Sequence, residues 1–179
     1  LEYDSQPMNI ETIQVVPFAR GIVADYLNAG IDAQYELEFF DTPAVQDCTI
    51  QADERLLRRA VRNLIDNAMR HNGEGCKIAL SLEVEPSSML AITVADNGRG
   101  CDTSRMTALM SQASTPDASY DAHGLGLTLV SRISIMHGGY VSFASEPGRG
   151  FTATMRIPTA MPQSEPPRLE KRESQANVR

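Results

Sequence analysis

The stretch from Asp53 to His71 constrains this chain more than any other. Leu56, Leu57, Ala60, Val61, Leu64, Ile65 and Ala68 recur there at three- and four-residue steps, which on a helix makes one broad apolar stripe. Asp53 stands where such a helix needs an N-cap, and Asn72-Gly73 stands where it must end. A stripe this wide needs a second layer to cover it. Immediately downstream Ile78, Leu80, Leu82 and Val84 alternate, Pro86-Ser87-Ser88 turns the chain, and Leu90, Ile92 and Val94 alternate again. The expectation is a pair of long antiparallel strands beneath the helix.

The rest of the chain extends the same two layers. Ile10, Ile13, Val16, Phe18, Ile22, Val23, Tyr26 and Leu27 predict an amphipathic helix over Ile10–Leu27 despite Pro17, stopped by Gly30. Gln34–Phe40 and Cys48–Ala52 read as short strands forming a hairpin-like pair around Thr42-Pro43. Asp102–Met110 predicts a short helix, and Ser111–His123, rich in small and polar residues, a flexible loop. Leu125–Met136 has helical spacing and ends at His137-Gly138-Gly139, where His137 is expected to answer the helix dipole. Tyr140–Ala144 and Phe151–Ile157 make a last hairpin around Glu146–Gly150. From Pro158 onward four of the ten prolines and mixed charges replace large apolar residues. Residues 1–158 are therefore expected to be one domain and 159–179 a tail without stable structure. This order of elements predicts an α+β fold, a two-layer α/β sandwich with helices on one face of a mixed, mostly antiparallel sheet.

Composition narrows the classes of function. In 179 residues, 16 Lys and Arg face 23 Asp and Glu, a net charge of -7 and the wrong sign for coating a phosphate backbone, so no nucleic acid partner is expected. Cys48, Cys76 and Cys101 are odd in number and never spaced CxxC, so neither a disulfide framework nor a zinc site is indicated, and a reducing compartment fits. No apolar run approaches the roughly 18 residues needed to span a bilayer, and the N-terminus lacks a basic, then apolar, leader. The expectation is a cytoplasmic chain that does not itself contact membrane. Its start at Leu1 suggests a piece of a longer protein.

Polar residues in unusual places carry the chemistry. On the Asp53 helix Asn63, Asn67 and Arg70 fall at i, i+4 and i+7, with His71 beside them, so a polar strip flanks the apolar stripe. Surface strips are usually Glu and Lys, and Asn is a poor helix former. Asp96-Asn97-Gly98-Arg99-Gly100 follows an apolar strand, which alone signals a turn. Gly124-Leu125-Gly126-Leu127 opens a helix after the loop, and free N–H groups at a helix N-terminus can hold phosphate. Gly148-Arg149-Gly150 stands between two strands, just before Thr152.

In this order the motifs resemble those of the GHKL ATPase and kinase superfamily, and within it the catalytic ATP-binding domain of sensor histidine kinases. Asn63–Asn72 is similar to the N box, Asp96–Gly100 to the first glycine box and Gly124–Leu127 to the second, and the likeness spans roughly Met8–Pro158. The resemblance implies the Bergerat fold, with ATP and Mg²⁺ as ligands. It implies that Asn67 holds Mg²⁺, Asn63 helps position metal and phosphates, Arg70 meets phosphate and His71 flanks the nucleotide. It further implies that Asp96 accepts the adenine amine, that Gly98 and Gly100 let backbone pass close to the base, that Gly124, Leu125, Gly126 and Leu127 offer amides to phosphates, and that Thr152 completes the adenine side. The Phe-rich box found in many members is absent, since Asp102–Ser114 contains no Phe.

By the same resemblance, hydrolases of the superfamily (gyrase B, MutL, the large heat-shock chaperones) place Glu one turn before the metal Asn, where this chain has Asn63. That favours phosphoryl transfer to a protein over attack by water. A GHKL-type hydrolase, and a serine kinase or partner-binding module, are the alternatives. The histidine kinase acceptor is a His followed by an acidic residue; His71, His123 and His137 do not qualify, so no catalytic residue is assigned in this chain. The implied partners are the dimerisation and phosphoacceptor domain of its own protein, as a homodimer, and a downstream response regulator.

Overall fold

The structure, a computed structural model, describes residues 7–31, 35–72, 75–102, 104, 106–108 and 125–160. In chain order they form β1 (Glu11–Gln14), α1 (Val15–Asn28), β2 (Tyr35–Asp41), a 3-10 turn (Pro43–Val45), β3 (Thr49–Ala52) and α2 (Glu54–His71). Then come β4 (Cys76–Glu85), β5 (Met89–Asp96), α3 (Leu125–Met136), β6 (Tyr140–Ser145) and β7 (Phe151–Pro158).

The central hairpin is the one the alternation predicts, with β4 and β5 antiparallel from Ile78↔Asp96 to Glu85↔Met89. Ile78, Leu80, Leu82, Leu90, Ile92 and Val94 are all buried, and their period of two puts them on one face. β7 pairs with β5 and β6 with β7, both antiparallel. β2 runs parallel to β4 at one edge, in the order β2-β4-β5-β7-β6. A parallel pair requires a crossover, and α2 is part of it. Phe18 and Ile22 of α1, Leu57 and Ile65 of α2, and Val130 and Ile133 of α3 share one core with the sheet residues. The α+β sandwich is thus observed. Asp53 caps α2 as expected: its Oδ1 accepts the Leu56 N–H at 3.0 Å, worth about 1 kcal/mol.

Two local expectations are corrected. The first helix begins at Val15, not Ile10, because Glu11–Gln14 form a strand paired with β3, Glu11↔Ala52 to Gln14↔Thr49. Pro17 explains the boundary. As third residue of α1 its missing N–H costs nothing, whereas in a helix from Ile10 it would delete an interior bond. Nor do β2 and β3 form a hairpin: β3 joins β1 in a separate two-stranded sheet, and β2 joins β4. The 3-10 turn between β2 and β3 buries Val45 and leads the chain out of the five-stranded sheet instead of reversing within it.

Just past β7, Thr159 N–H donates to Ser88 O (3.0 Å) and Ala160 N–H to Thr49 O (2.9 Å). The expected tail beyond Ala160 and the Ser111–His123 loop lie outside the described residues. The Asp102–Met110 helix is described only in part, with residues 104 and 106–108 helical. No helix among the described residues is long and apolar enough to cross a membrane.

Candidate functional site

The polar strip of α2 faces the head of α3. Asn63 is half-buried and its Nδ2 donates to Arg59 O at 3.1 Å. A methyl placed on Gly126 would stand 3.6 Å from Asn63 Oδ1, so the second glycine motif lies directly against the N box helix. Asn67 is half-buried, and its side-chain amide has no hydrogen-bond partner among the described residues. Arg70 is exposed and His71 half-buried in the last turn. Leu127 is a core residue, so only its backbone can serve a ligand; Leu125 opens α3, and Gly124 lies outside the described residues.

Asp96, at the end of β5, uses only one of its oxygens. Oδ1 accepts the N–H groups of Gly98 (2.9 Å) and Phe151 (3.3 Å), whereas Oδ2 has no hydrogen bond among the described residues. Two backbone donors therefore fix the rotamer and leave an oriented acceptor. The negative charge is felt by the neighbouring Cys76, whose thiol is pushed up in pKa first by burial and then by Asp96.

The loop after Asp96 is clamped from both sides. Asn72, the C-cap residue of α2, accepts the Arg99 N–H on Oδ1 (3.2 Å) and donates from Nδ2 to Ala68 O (2.9 Å). A methyl on Gly98 would overlap that amide. Opposite, Gly148 N–H donates to Arg99 O (2.7 Å), Cys101 N–H to Ser145 Oγ (2.9 Å), and Ser145 Oγ to Gly150 O (2.7 Å). Gly150 has φ +85°, and a methyl there would overlap the Asp96 carbonyl. Gly98 thus makes room for Asn72, and Gly148-Arg149-Gly150 is a second wall of the site as well as a hairpin turn.

Thr152 is not where it was expected. Ala153, Met155 and Ile157 of β7 are buried on the helical side, so Thr152 alternates to the opposite face, across from Ala95 and Ala144. Phe151 is the β7 residue beside Asp96, and its ring lies 5.9 Å from that of Phe143. Counting the alternation back from Ile157 identifies Phe151. Asn72 carried no signal beyond being a polar residue at a helix end.

His137 has a partner beyond its own helix as well. It is buried, its Nε2 accepts the Asp53 N–H at 3.0 Å, and its Nδ1 lies 2.7 Å from Ile133 O. An amide N–H can only donate, so Nε2 carries no proton and the Nδ1–H is given to Ile133. The ring answers a carbonyl in the last turn of α3 through Nδ1 and joins that helix to the N-cap of α2 through Nε2. No cluster of three His, Cys, Asp or Glu that could hold a metal stands among the described residues.

Residues 52–161, more than half the chain, match the family of histidine kinase-, DNA gyrase B- and HSP90-like ATPases, and the chain belongs to that family. Sensor histidine kinase YvrG of Bacillus subtilis is 26% identical over 159 residues, covering 87% of this chain and 27% of the relative. The chain spans between a quarter and a third of the length of this and other curated sensor kinases that it resembles. Among solved structures, the catalytic domain of histidine kinase ThkA superposes with a TM-score of 0.70 at 19% identity, covering 84% of this chain and 96% of that one. Full-length ShkA in complex with AMPPNP gives 0.72 at 23% identity, covering 88% and 33%. The fold is that of histidine kinase ATP-binding catalytic domains.

Proposed function

We propose that this domain binds Mg²⁺-ATP and presents its γ-phosphate to a histidine on another domain of its own protein, as the cytoplasmic catalytic unit of a sensor histidine kinase. Asp96 carries the reading. A carboxylate oxygen left open while its twin is pinned by two N–H groups accepts the exocyclic amine of adenine and repels the carbonyl that guanine has there. Phe143 and Phe151 supply apolar surface beside it, and the nucleotide bound to ShkA supports the assignment.

The phosphates belong at the head of α3, where Gly126 meets Asn63 and the N-terminal amides of the helix attract anions. Asn67 is the residue to hold Mg²⁺, helped by Asn63, with Arg70 and His71 toward the nucleotide. The donor set suits this ion: an amide oxygen with no partner among the described residues is a neutral, hard ligand, to be completed by phosphate oxygens and water. When bound, the metal would neutralise charge between the phosphates.

Hydrolysis is not what these residues are arranged for. On α2 the acidic residues are Glu54 and Asp66. Glu54 is about two and a half turns before Asn63 and paired with Arg58, while Asp66 accepts the Tyr26 hydroxyl. Asn63, one turn before Asn67, cannot take a proton from water. The acceptor is the histidine of a dimerisation domain, and a response regulator takes the phosphoryl group onward. With γ-labelled ATP, the chain alone is expected to release little phosphate and to carry no label, and to label a separately supplied phosphoacceptor domain of its own protein. Rapid phosphate release by the chain alone refutes the transfer reading in favour of a hydrolase.

A further inference from the structure

His137 has no part in the function proposed above, yet it joins the two helices that frame the phosphate site. Its Nε2 accepts the Asp53 N–H across 84 residues of sequence, and it sits in the C-terminal cap of α3, where Gly138 N–H donates to Ile135 O and Gly139 N–H to Ser134 O. Asp53 is equally committed. Oδ1 caps Leu56, Oδ2 accepts the Asn9 N–H at 3.0 Å, and the backbone carbonyl accepts from Leu57 at 2.9 Å. Every polar atom at this buried junction has a defined partner, so neither helix end can shift without losing a bond.

The axial lengths agree. From Asp53 to Asn63 is ten residues of α2, about 15 Å, and from His137 back to Gly126 is eleven residues of α3, about 16.5 Å. The two helices therefore run from the His137–Asp53 junction to the Asn63–Gly126 contact over nearly equal rise. Apolar packing is non-directional, so the burial of Leu57, Leu64, Leu127 and Val130 in one core does not by itself fix the axial position of one helix on the other. A directional hydrogen bond does.

We propose that His137 is a positioning residue of the phosphate site. Its bond to the Asp53 N–H sets the axial register of α3 against α2 and hence where the N–H groups at the head of α3 stand relative to Asn63. This rests on the reading of that contact as the phosphate site. Two substitutions separate the ring's two bonds. Asn reaches about as far as Nδ1 and keeps the donor to Ile133 O, whereas Gln reaches about as far as Nε2 and keeps the acceptor for the Asp53 N–H.

The test is calorimetric titration of the whole chain with a non-hydrolysable ATP analogue and Mg²⁺, well below the unfolding midpoint of each variant. His137→Asn is expected to raise Kd on the order of tenfold, and His137→Gln to stay within about threefold of the parent. A merely structural role lowers the thermal midpoint of both variants and leaves both affinities unchanged, and that result overturns the proposal. Should His137→Asn fail to fold, amide exchange in the parent decides. Nucleotide is expected to protect Asp53 together with Gly126 and Leu127, and protection of the latter two alone overturns it. If the parent binds no nucleotide, the function proposed above fails and the positioning role falls with it.

Discussion

Replacing Asp96 with Asn tests the base-recognition site by a route the structure makes unusually clean. In the parent, Oδ1 receives two backbone N–H groups, from Gly98 at 2.9 Å and Phe151 at 3.3 Å. An Asn side chain can keep both bonds only by placing its carbonyl oxygen where Oδ1 was, which forces its NH₂ into the position of Oδ2. The opposite flip would set an NH₂ against two N–H donors and is excluded. Asp96→Asn should therefore fold, with a thermal midpoint within a few degrees of the parent. Its NH₂ then confronts the adenine amine, donor against donor. The charge-assisted bond is lost and a buried donor is left unpaired, together about 2–3 kcal/mol, which is about 30- to 150-fold in Kd. The same NH₂ is complementary to the guanine carbonyl. Titration with ATP and GTP analogues side by side is expected to show ATP affinity collapsing while GTP affinity holds or rises. Equal losses for both bases would refute the reasoning, because the carboxylate would then be supporting the loop and not reading the base.

Three further outcomes follow from the geometry. Asn67→Ala should leave the fold intact, since the amide has no hydrogen bond among the described residues and Ala is the better helix former, but should reduce nucleotide affinity in Mg²⁺ to its metal-free value; persistence of the Mg²⁺ enhancement in the variant contradicts the assigned ligand. Gly150→Ala should cost about 2–3 kcal/mol, because φ is +85° and the added methyl meets the Asp96 carbonyl, and an unchanged thermal midpoint would rule out that close approach. Burial by itself raises the pKa of Asp53, but the N–H groups of Leu56 and Asn9, with the Arg55 guanidinium, outweigh it and hold the carboxyl below its ordinary 3.8. Its stabilisation is therefore present above that value and lost as pH falls through the lower folded-state pKa. Asp53→Asn, which keeps a capping oxygen, should lose stability less steeply below about pH 4 in urea unfolding, and identical acid limbs would exclude the effect.

Wherever a signal is local, the sequence by itself determined the outcome. The Asp53 cap and the stripe from Leu57 to Ala68 belong to one helix, and Ile78–Val94 to one hairpin, because periodicity and turn residues act within a few neighbours. The motif residues Asn63, Asn67, Asp96 and Gly126 stand out in the sequence for the same reason, and the structure sets Gly126 against Asn63. Thr152 stands out too, but the alternation of Ala153, Met155 and Ile157 puts it on the opposite face of β7, and it is the Phe151 N–H that meets Asp96. Only the tertiary structure decided the rest. Whether β3 takes β1 or β2 as partner depends on where α1 and the 3-10 turn pack, not on the few residues of either strand. Asn72 above Gly98 and His137 against Asp53 join segments 26 and 84 residues apart, and an amide or imidazole acquires such a role only when packing of the apolar faces brings a single unpaired donor or acceptor within its reach.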